Sequence, residues 1–552
     1  MRDTPLDDTA APLDKGMARR SFLARTLAVS AAAAAGGATL APGQALAATG
    51  EKHSDPKPAP TPTFSPEAWV KPRAAAVADI TELTVAEAAY QIRSGAVKPA
   101  ELAAAYLARI AELDGTYKAY NAVRSSAVAA EAKAAGRGDG RSPLHGVPLC
   151  IKDNYFTKGT ETTANSTIFE GFVPDYDATA VARLKAVGAL VIGKGQMGPL
   201  ATTRATKPNG EVTTVNAWTP TDPSYDPGGS SSGPATSTAA RLAASSIGTQ
   251  TGGSIILPSA QQGLTGLKPT MGRVSIHGVI PLSFTRDHSG PLARTAMDAA
   301  IMLTAMAGAD PADPRTLGLP KPADYVKAAA PVVTGGKPSI RWRTKIGVPP
   351  GYVSGPQAAQ RKAYLDTLES IHKVDLVDVA LPDEWALLTG AFNAVRLPER
   401  TEPFLPFLRE DVRLFGVSLG SWIQGLFLSG DEFITGQRAK AELLDRVYAT
   451  FFEHCDVVLQ TDVVPFDILG LPEITMPIGF TTSPNGATVP VGAILGASAY
   501  AEDRLLAVAA AYQQVTDWHL RRPADPPKAA AHRLSLSAPL RLSFEEATAQ
   551  TA

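Results

Sequence analysis

Gly228 to Pro258 reads GGSSSGPATSTAARLAASSIGTQTGGSIILP, and the fold hangs on how that stretch is taken. Two Gly-Gly-Ser turns, Gly228-Gly229-Ser230 and Gly252-Gly253-Ser254, bracket a segment of helical character. Pro234 suits a first turn, with Ser232 or Gly233 as its cap, and Ala235, Ala239, Leu242 and Ala243 share one small apolar face. Gly248 is expected to stop that helix. About 13 helical residues rise roughly 20 Å, and an extended run from Ile247 to Ser254 returns by about 23 Å. Ser254 can therefore come back beside Ser230, so that two hydroxyls and several small-residue N–H groups share one place. A Gly/Ser linker does not carry Leu-Ala-Ala and then Ile-Ile-Leu. A phosphate cradle would need a GxxxxGK[ST] pattern, and none is present.

Upstream, Gly146-Val147-Pro148-Leu149-Cys150-Ile151-Lys152-Asp153-Asn154 holds an apolar run short enough for a buried strand. Lys152 stands at its end, with Asp153 and Asn154 placed to hold it. An arbitrary lysine is a solvated surface charge; one that closes an apolar run is not. Downstream lie GLTGLKPT at Gly263 to Thr270 and DHSGPLAR at Asp287 to Arg294.

These motifs, in this order, resemble the amidase signature family, and the resemblance covers most of the chain from about residue 83 to 520. It implies an α/β fold: a single large domain with a mixed central β-sheet flanked by helices. It implies Ser254 as nucleophile, Lys152 as base, and Ser230 as a bridging serine behind a cis peptide bond. Thr251, Gly252, Gly253 and Ser254 would form an oxyanion hole, supported by Gly229, Ser231, Thr249 and Asp287. Where relatives carry a threonine-asparagine pair and an acidic residue after the next strand, this chain has Gln196-Met197-Gly198-Pro199-Leu200, a departure expected to alter the pocket wall.

The chemistry is consistent with those residue types. A serine hydroxyl needs a base to remove its proton during attack. No Gly-x-Ser-x-Gly elbow and no nearby histidine attend Ser254, which leaves Ser–Lys machinery. A free lysine titrates near 10.4 and must be lowered to act near neutrality, which burial beside Ile151 would do. Ser230 would relay the proton, and each well-placed N–H at the acyl oxygen is worth roughly 3–4 kcal/mol. The expected substrate is a neutral, apolar or peptide-like amide, because Ile255-Ile256-Leu257 follow Ser254 where many relatives carry an arginine. The residues around Gly228 resemble those of peptide amidases. A peptide C-terminal amidase, an aryl-acylamidase or a carbamate or ester hydrolase would use the same core. A binding protein that kept the scaffold and lost the chemistry is the reading from a different class, and the presence of Lys152, Ser230 and Ser254 speaks against it.

Composition bounds the rest. The 552 residues suffice for a large core, and a formal charge of −1 implies no nucleic-acid surface. Two cysteines, Cys150 and Cys455, are too few for a disulfide scaffold, although one bridge is compatible with the sequence. Eight histidines show no HExxH and no paired ligand spacing, so neither a metal nor a cofactor is expected.

Residues 1–47 read as a signal peptide: Arg19-Arg20-Ser21-Phe22-Leu23, an alanine-rich stretch to Leu40, then Ala45-Leu46-Ala47. The adjacent arginines look like a twin-arginine signal, which predicts export through that machinery to the periplasm or outside, with no stable membrane anchor. Residues 48–80 are a polar lead, residues 81–523 the catalytic domain, and residues 524–552 a tail. Within the domain, a capping box at Thr84 and Glu87 and a helix opened by Pro99 are expected. A helix and basic turn follow over residues 121–142. Further helices are expected over Asp177–Leu190, Pro291–Met306, Ala358–Ile371, around Ala439–Phe452 and over Glu502–Leu520. Residues 310–345 look like an excursion of short elements. Late strands are expected at 456–460, 474–478 and 489–494. Residues 385–435 carry Phe392, Phe404, Phe407, Phe415, Trp422, Phe427 and Phe433, and read as an insertion that is core, channel wall, or both. Partners beyond a small-molecule or peptide amide are not legible, and an oligomer is compatible with the sequence.

Overall fold

The computed structural model describes residues 61–73, 79–136, 140–204, 213–389 and 392–526. The expected signal peptide and nearly all of the tail lie outside the described residues. The described chain is built on one mixed sheet of twelve strands with helices packed against it. The strands are β1 Tyr120–Val123, β2 Pro148–Lys152, β3 Leu190–Gly195, β4 Ser245–Gln250, β5 Thr265–Lys268 and β6 His288–Ala293, followed by β7 Val332–Thr334, β8 Lys337–Val348, β9 His372–Asp378, β10 Val457–Gln460, β11 Glu473–Thr482 and β12 Thr488–Ala497. Their order is β1-β3-β2-β4-β6-β5-β11-β12-β10-β8-β7, with β9 on β8.

The middle of the sheet explains where Lys152 comes to lie. β2 runs parallel to β3 and β4, with Ile151 opposite Ile247, and β4 is antiparallel to β6. All five residues of β2 and all six of β4 are buried, as strands covered on both faces must be. Lys152, last in β2, is thereby carried into the interior beside Thr249.

The deciding stretch folds differently in detail from its sequence reading. Its helix covers only Ser232–Ala239, with Ser231 as the cap, and Pro234 sits within the first turn. The chain then reverses at Arg241, which takes a left-handed φ of 61° and donates to Glu82 at 2.7 Å and to Asp525. Gly248 does not end a helix; it lies inside β4, where a Cβ would meet Ser231 Oγ at 2.6 Å and Leu292 Cδ1 at 2.9 Å. The glycine marks a close approach of strand and loop, a signal that reads like a helix stop in sequence.

Other expectations held or moved. The capping box at Thr84 forms, with Thr84 N to Glu87 at 2.9 Å and Glu87 N to Thr84 at 3.2 Å, and Pro99 opens the helix Pro99–Tyr117. Residues 120–123 are a strand rather than helix, too short and polar to show alternation. The helix expected from Pro291 starts at Ala296, capped by Thr295, because His288–Ala293 is β6. Residues 337–348 form a long strand where short elements were expected. In the insertion, Phe404, Phe407, Phe415 and Trp422 are core, with Phe404 and Phe415 rings 5.0 and 5.1 Å from Trp422, while Phe427 is 80% exposed. Cys150 and Cys455 are both free and buried, so no bridge joins them. Among the described residues, no helix is long and apolar enough to cross a membrane.

Replacing Gly248 with alanine should cost about 1–3 kcal/mol, because the added methyl overlaps Ser231 and Leu292 in a packed strand. Urea unfolding of Gly248→Ala against the wild type checks this; an unchanged midpoint would contradict the close approach.

Candidate active site

Lys152 is wholly buried and makes three contacts through Nζ. Ser230 Oγ lies at 2.8 Å, Thr249 Oγ1 at 2.8 Å and the Thr249 carbonyl at 3.2 Å. Asn154 Nδ2 donates to the same Thr249 hydroxyl oxygen at 3.0 Å. A neutral amine has two N–H donors and one lone pair. With both donors on Thr249, as carbonyl and hydroxyl acceptors, the lone pair is left for the Ser230 hydroxyl. Burial drives the Lys152 ammonium down to about 7, opposed by the charge of Asp287. The amine is thus poised near neutrality and aimed at one hydroxyl.

The residues expected to hold Lys152 divide. Asn154 reaches it through Thr249, but the Asp153 carboxylate turns away. It accepts from Asn121 at 2.8 Å and from the Thr163 hydroxyl at 2.6 Å, and faces Lys194 at 3.5 Å. Tyr155, which the sequence did not single out, donates to the Gly248 carbonyl or to Ser289, both at 2.7 Å.

The Gly229–Ser230 peptide bond is cis, as the resemblance implied. Its loop is pinned by backbone: Gly198 N donates to the Ser230 carbonyl at 3.0 Å, and Gly233 N to Gln196 at 2.9 Å. The Gln196–Leu200 departure therefore braces the Ser230 loop. Ser231 Oγ, 3.3 Å from the Thr249 carbonyl, ties the loop to β4.

Ser230 and Ser254 line one cavity of about 360 Å³, together with Gly229 and Gly252. The turn from Thr251 to Ser254 is shaped by Gly253, whose φ is 100° and whose Cβ would strike Leu257 at 2.6 Å and Val463 at 2.8 Å. Thr251 donates its hydroxyl hydrogen bond to Asp287 Oδ1, and Asp287 Oδ2 accepts from Leu282 N at 2.7 Å and Ser283 N at 3.1 Å. Burial raises the Asp287 carboxyl above its ordinary value against those hydrogen bonds. On the far side of the turn, Gln250 Oε1 accepts from Ile255 N at 2.7 Å and Ile256 N at 2.8 Å. Its Nε2 donates to Asp467 and Glu473 at 2.9 and 3.1 Å. Gln250 was missed in the sequence, where nothing separates it from an ordinary polar residue at a strand end.

The cavity wall is mostly polar: Thr202, Thr203, Arg204, Asp226 and Gln261, with Leu257 the apolar member. Arg204 and Asp226 face each other at 3.5 Å. Ile255 and Ile256 are fully buried, so of the three residues after Ser254 Leu257 alone reaches the cavity. Among the described residues, none of the insertion's aromatics lines it.

A buried lysine 2.8 Å from one serine, with a second serine in the same cavity, is the set of groups that Ser–Lys hydrolases use. The chain belongs to the amidase signature family: residues 101–460 match the model described as Amidase. It is 34% identical over 496 residues to a glutamyl-tRNA(Gln) amidotransferase subunit from Roseiflexus castenholzii, covering 80% of this chain and 97% of the relative. Among solved structures it resembles the native peptide amidase of Stenotrophomonas maltophilia, with a TM-score of 0.69, 29% identity, and 81% and 99% of the two chains covered. A peptide amidase complex with the competitive inhibitor chymostatin matches equally, at a TM-score of 0.69 and 29% identity over 80% of this chain and 99% of that one. This is an amidase-family hydrolase acting on C–N bonds.

The lone pair of Lys152 is available only when the amine is neutral, so kcat/KM should rise tenfold per pH unit below about 7 and level off above it. The sign also bears on stability: the folded state releases the Lys152 proton more readily than the unfolded chain, so its burial penalty is full below about 7 and fades as pH rises toward 10.5. Lys152→Met should lose roughly 100- to 10,000-fold in kcat and be more stable than the wild type at pH 6. A pH–rate profile with no limb near 7 would contradict this assignment of the base.

Proposed function

We propose that this protein is a serine amidohydrolase that cleaves a linear carboxylic amide through an acyl-enzyme, releasing ammonia or an amine. The observation that carries the reading is Lys152 Nζ at 2.8 Å from Ser230 Oγ, with Ser230 and Ser254 opening on one cavity. Ser254 attacks the amide carbon while Ser230 takes its proton and passes its own to Lys152. The acyl oxygen becomes an oxyanion against the N–H groups of the Thr251–Ser254 turn. The departing nitrogen takes the proton back from Ser230. Water then attacks the ester, deprotonated along the same path, and Ser254 is restored. Gly229, Ser231, Thr249 and Asp287 hold these groups in place.

The acyl group that fits best is neutral and peptide-like. The polar wall favours hydrogen-bonding substrates over purely apolar ones, and Arg204 and Asp226 compensate one another, so the wall presents no net charge for a substrate to match. The peptide amidases among the structural relatives support the same class. The Arg19-Arg20 leader supports export of the folded enzyme. A second reading follows from the amidotransferase relative: a component that releases ammonia for an amidotransferase. It needs a partner and an acceptor, whereas an exported amidohydrolase acts alone.

Intact mass of the mature protein should be followed on a neutral aliphatic amide, a peptide amide, an anilide and a carbamate, with Ser254→Ala alongside. Expected is an acyl adduct on the wild type alone and steady release of ammonia or amine, fastest from the peptide amide. Turnover that appears only with glutamine and a partner protein would favour the second reading. Turnover of esters or carbamates alone would place the enzyme in that class, and no adduct with an intact fold would sink the proposal.

A further inference from the structure

Glu399 lies on the helix Asn393–Thr401, inside the aromatic insertion and outside the cavity wall. Its Oε2 accepts three hydrogen bonds from one loop: Ser283 Oγ at 2.6 Å, and Thr285 N and Oγ1 at 3.1 Å each. Lys440, on the helix Gly430–Val447, donates to the Thr285 carbonyl at 3.2 Å. A helix of the insertion and the helix that follows it therefore grip residues 283–285. That loop also supplies Ser283 N, which with Leu282 N holds Asp287 Oδ2, while Asp287 Oδ1 takes the Thr251 hydroxyl. From Glu399 to the turn that carries Ser254, each link is a hydrogen bond or a covalent neighbour. The charged groups that face Glu399 are Lys440 and Arg286.

We propose that Glu399 is a positioning residue for the oxyanion turn: by clasping residues 283–285 it sets Asp287, and through Asp287 the orientation of Thr251 and the N–H groups that follow. The insertion then acts on the reaction without touching substrate. A carboxylate that accepts three donors at once holds a loop more firmly than any single contact, and charge-assisted bonds are the strong ones. The inference rests on the serine-amidohydrolase reading.

Labelling of Ser254 by a small fluorophosphonate reads the turn without the natural substrate. Ser254 Oγ bonds to phosphorus, fluoride leaves, the serine proton passes by Ser230 to Lys152, and the phosphoryl oxygen takes the oxyanion position. Glu399→Ala should slow labelling about tenfold, less than the roughly 100- to 1,000-fold lost when an oxyanion donor itself is removed. On the smallest neutral amide turned over, kcat should fall by the same factor at unchanged KM. Thr251→Val should also slow labelling, and the double variant should be no slower than Thr251→Val alone, because both cut one chain of contacts. Wild-type labelling of Glu399→Ala, or losses that multiply in the double variant, would overturn the proposal. So would a defect confined to the KM of long peptide amides, which would make Glu399 part of a substrate wall. If Glu399→Ala does not fold, Glu399→Gln and Ser283→Ala carry the same comparison. A wild type that labels at Ser254 yet cleaves no amide would overturn the amidohydrolase reading and leave the clasp standing.

Discussion

The site depends on one desolvated amine. Lys152 is buried beyond the reach of water, so its charge is disfavoured, and its three hydrogen-bonding positions are filled by two residues alone, Thr249 and Ser230. Each neighbour is placed by a different constraint. The pairing of β2 with β4 brings Thr249 alongside, Asn154 donates to the Thr249 hydroxyl, and the bond from Gly198 N to the Ser230 carbonyl pins the loop that carries Ser230. An amine with one fewer acceptor would have a donor competing for Ser230. The geometry thus sets the partners of the amine, and burial brings its titration down to about 7.

The serine turn is governed from both sides by groups that do not face the cavity. Gln250 holds the N–H groups after Ser254, and Asp287 holds the hydroxyl at the front of the turn. Gly253 completes the arrangement with a backbone conformation and a clearance that no side chain would allow. The turn of small residues is thus tied at each end.

Much of this was legible in sequence because the controlling features are local. The apolar run ending in Lys152, the two Gly-Gly-Ser turns and the capping box at Thr84 each carry their signal within a few residues. What was not legible depends on tertiary approach. Gly248 reads as a helix stop until Ser231 is seen against it, and β6 hides a strand behind a proline that suits a helix start. Asp153 sits next to Lys152 in sequence yet points to Asn121 and Thr163, since successive residues of a strand and its exit face opposite ways. Gln250 and Glu399 gain their roles only from partners far along the chain.

The same distinction changes what Ile255-Ile256-Leu257 says about substrate. In sequence, three apolar residues after Ser254 suggest an apolar site. In the fold, Ile255 and Ile256 belong to the core beneath the turn, and Leu257 alone faces the cavity among threonines, a glutamine and an ion pair. Absence of a cation at position 255 still removes one way to bind an acid, but it does not make the pocket apolar. The two isoleucines serve the turn instead: their side chains anchor it in the core while their N–H groups meet Gln250. Thr202–Arg204, Asp226 and Gln261 make up the polar part of that wall.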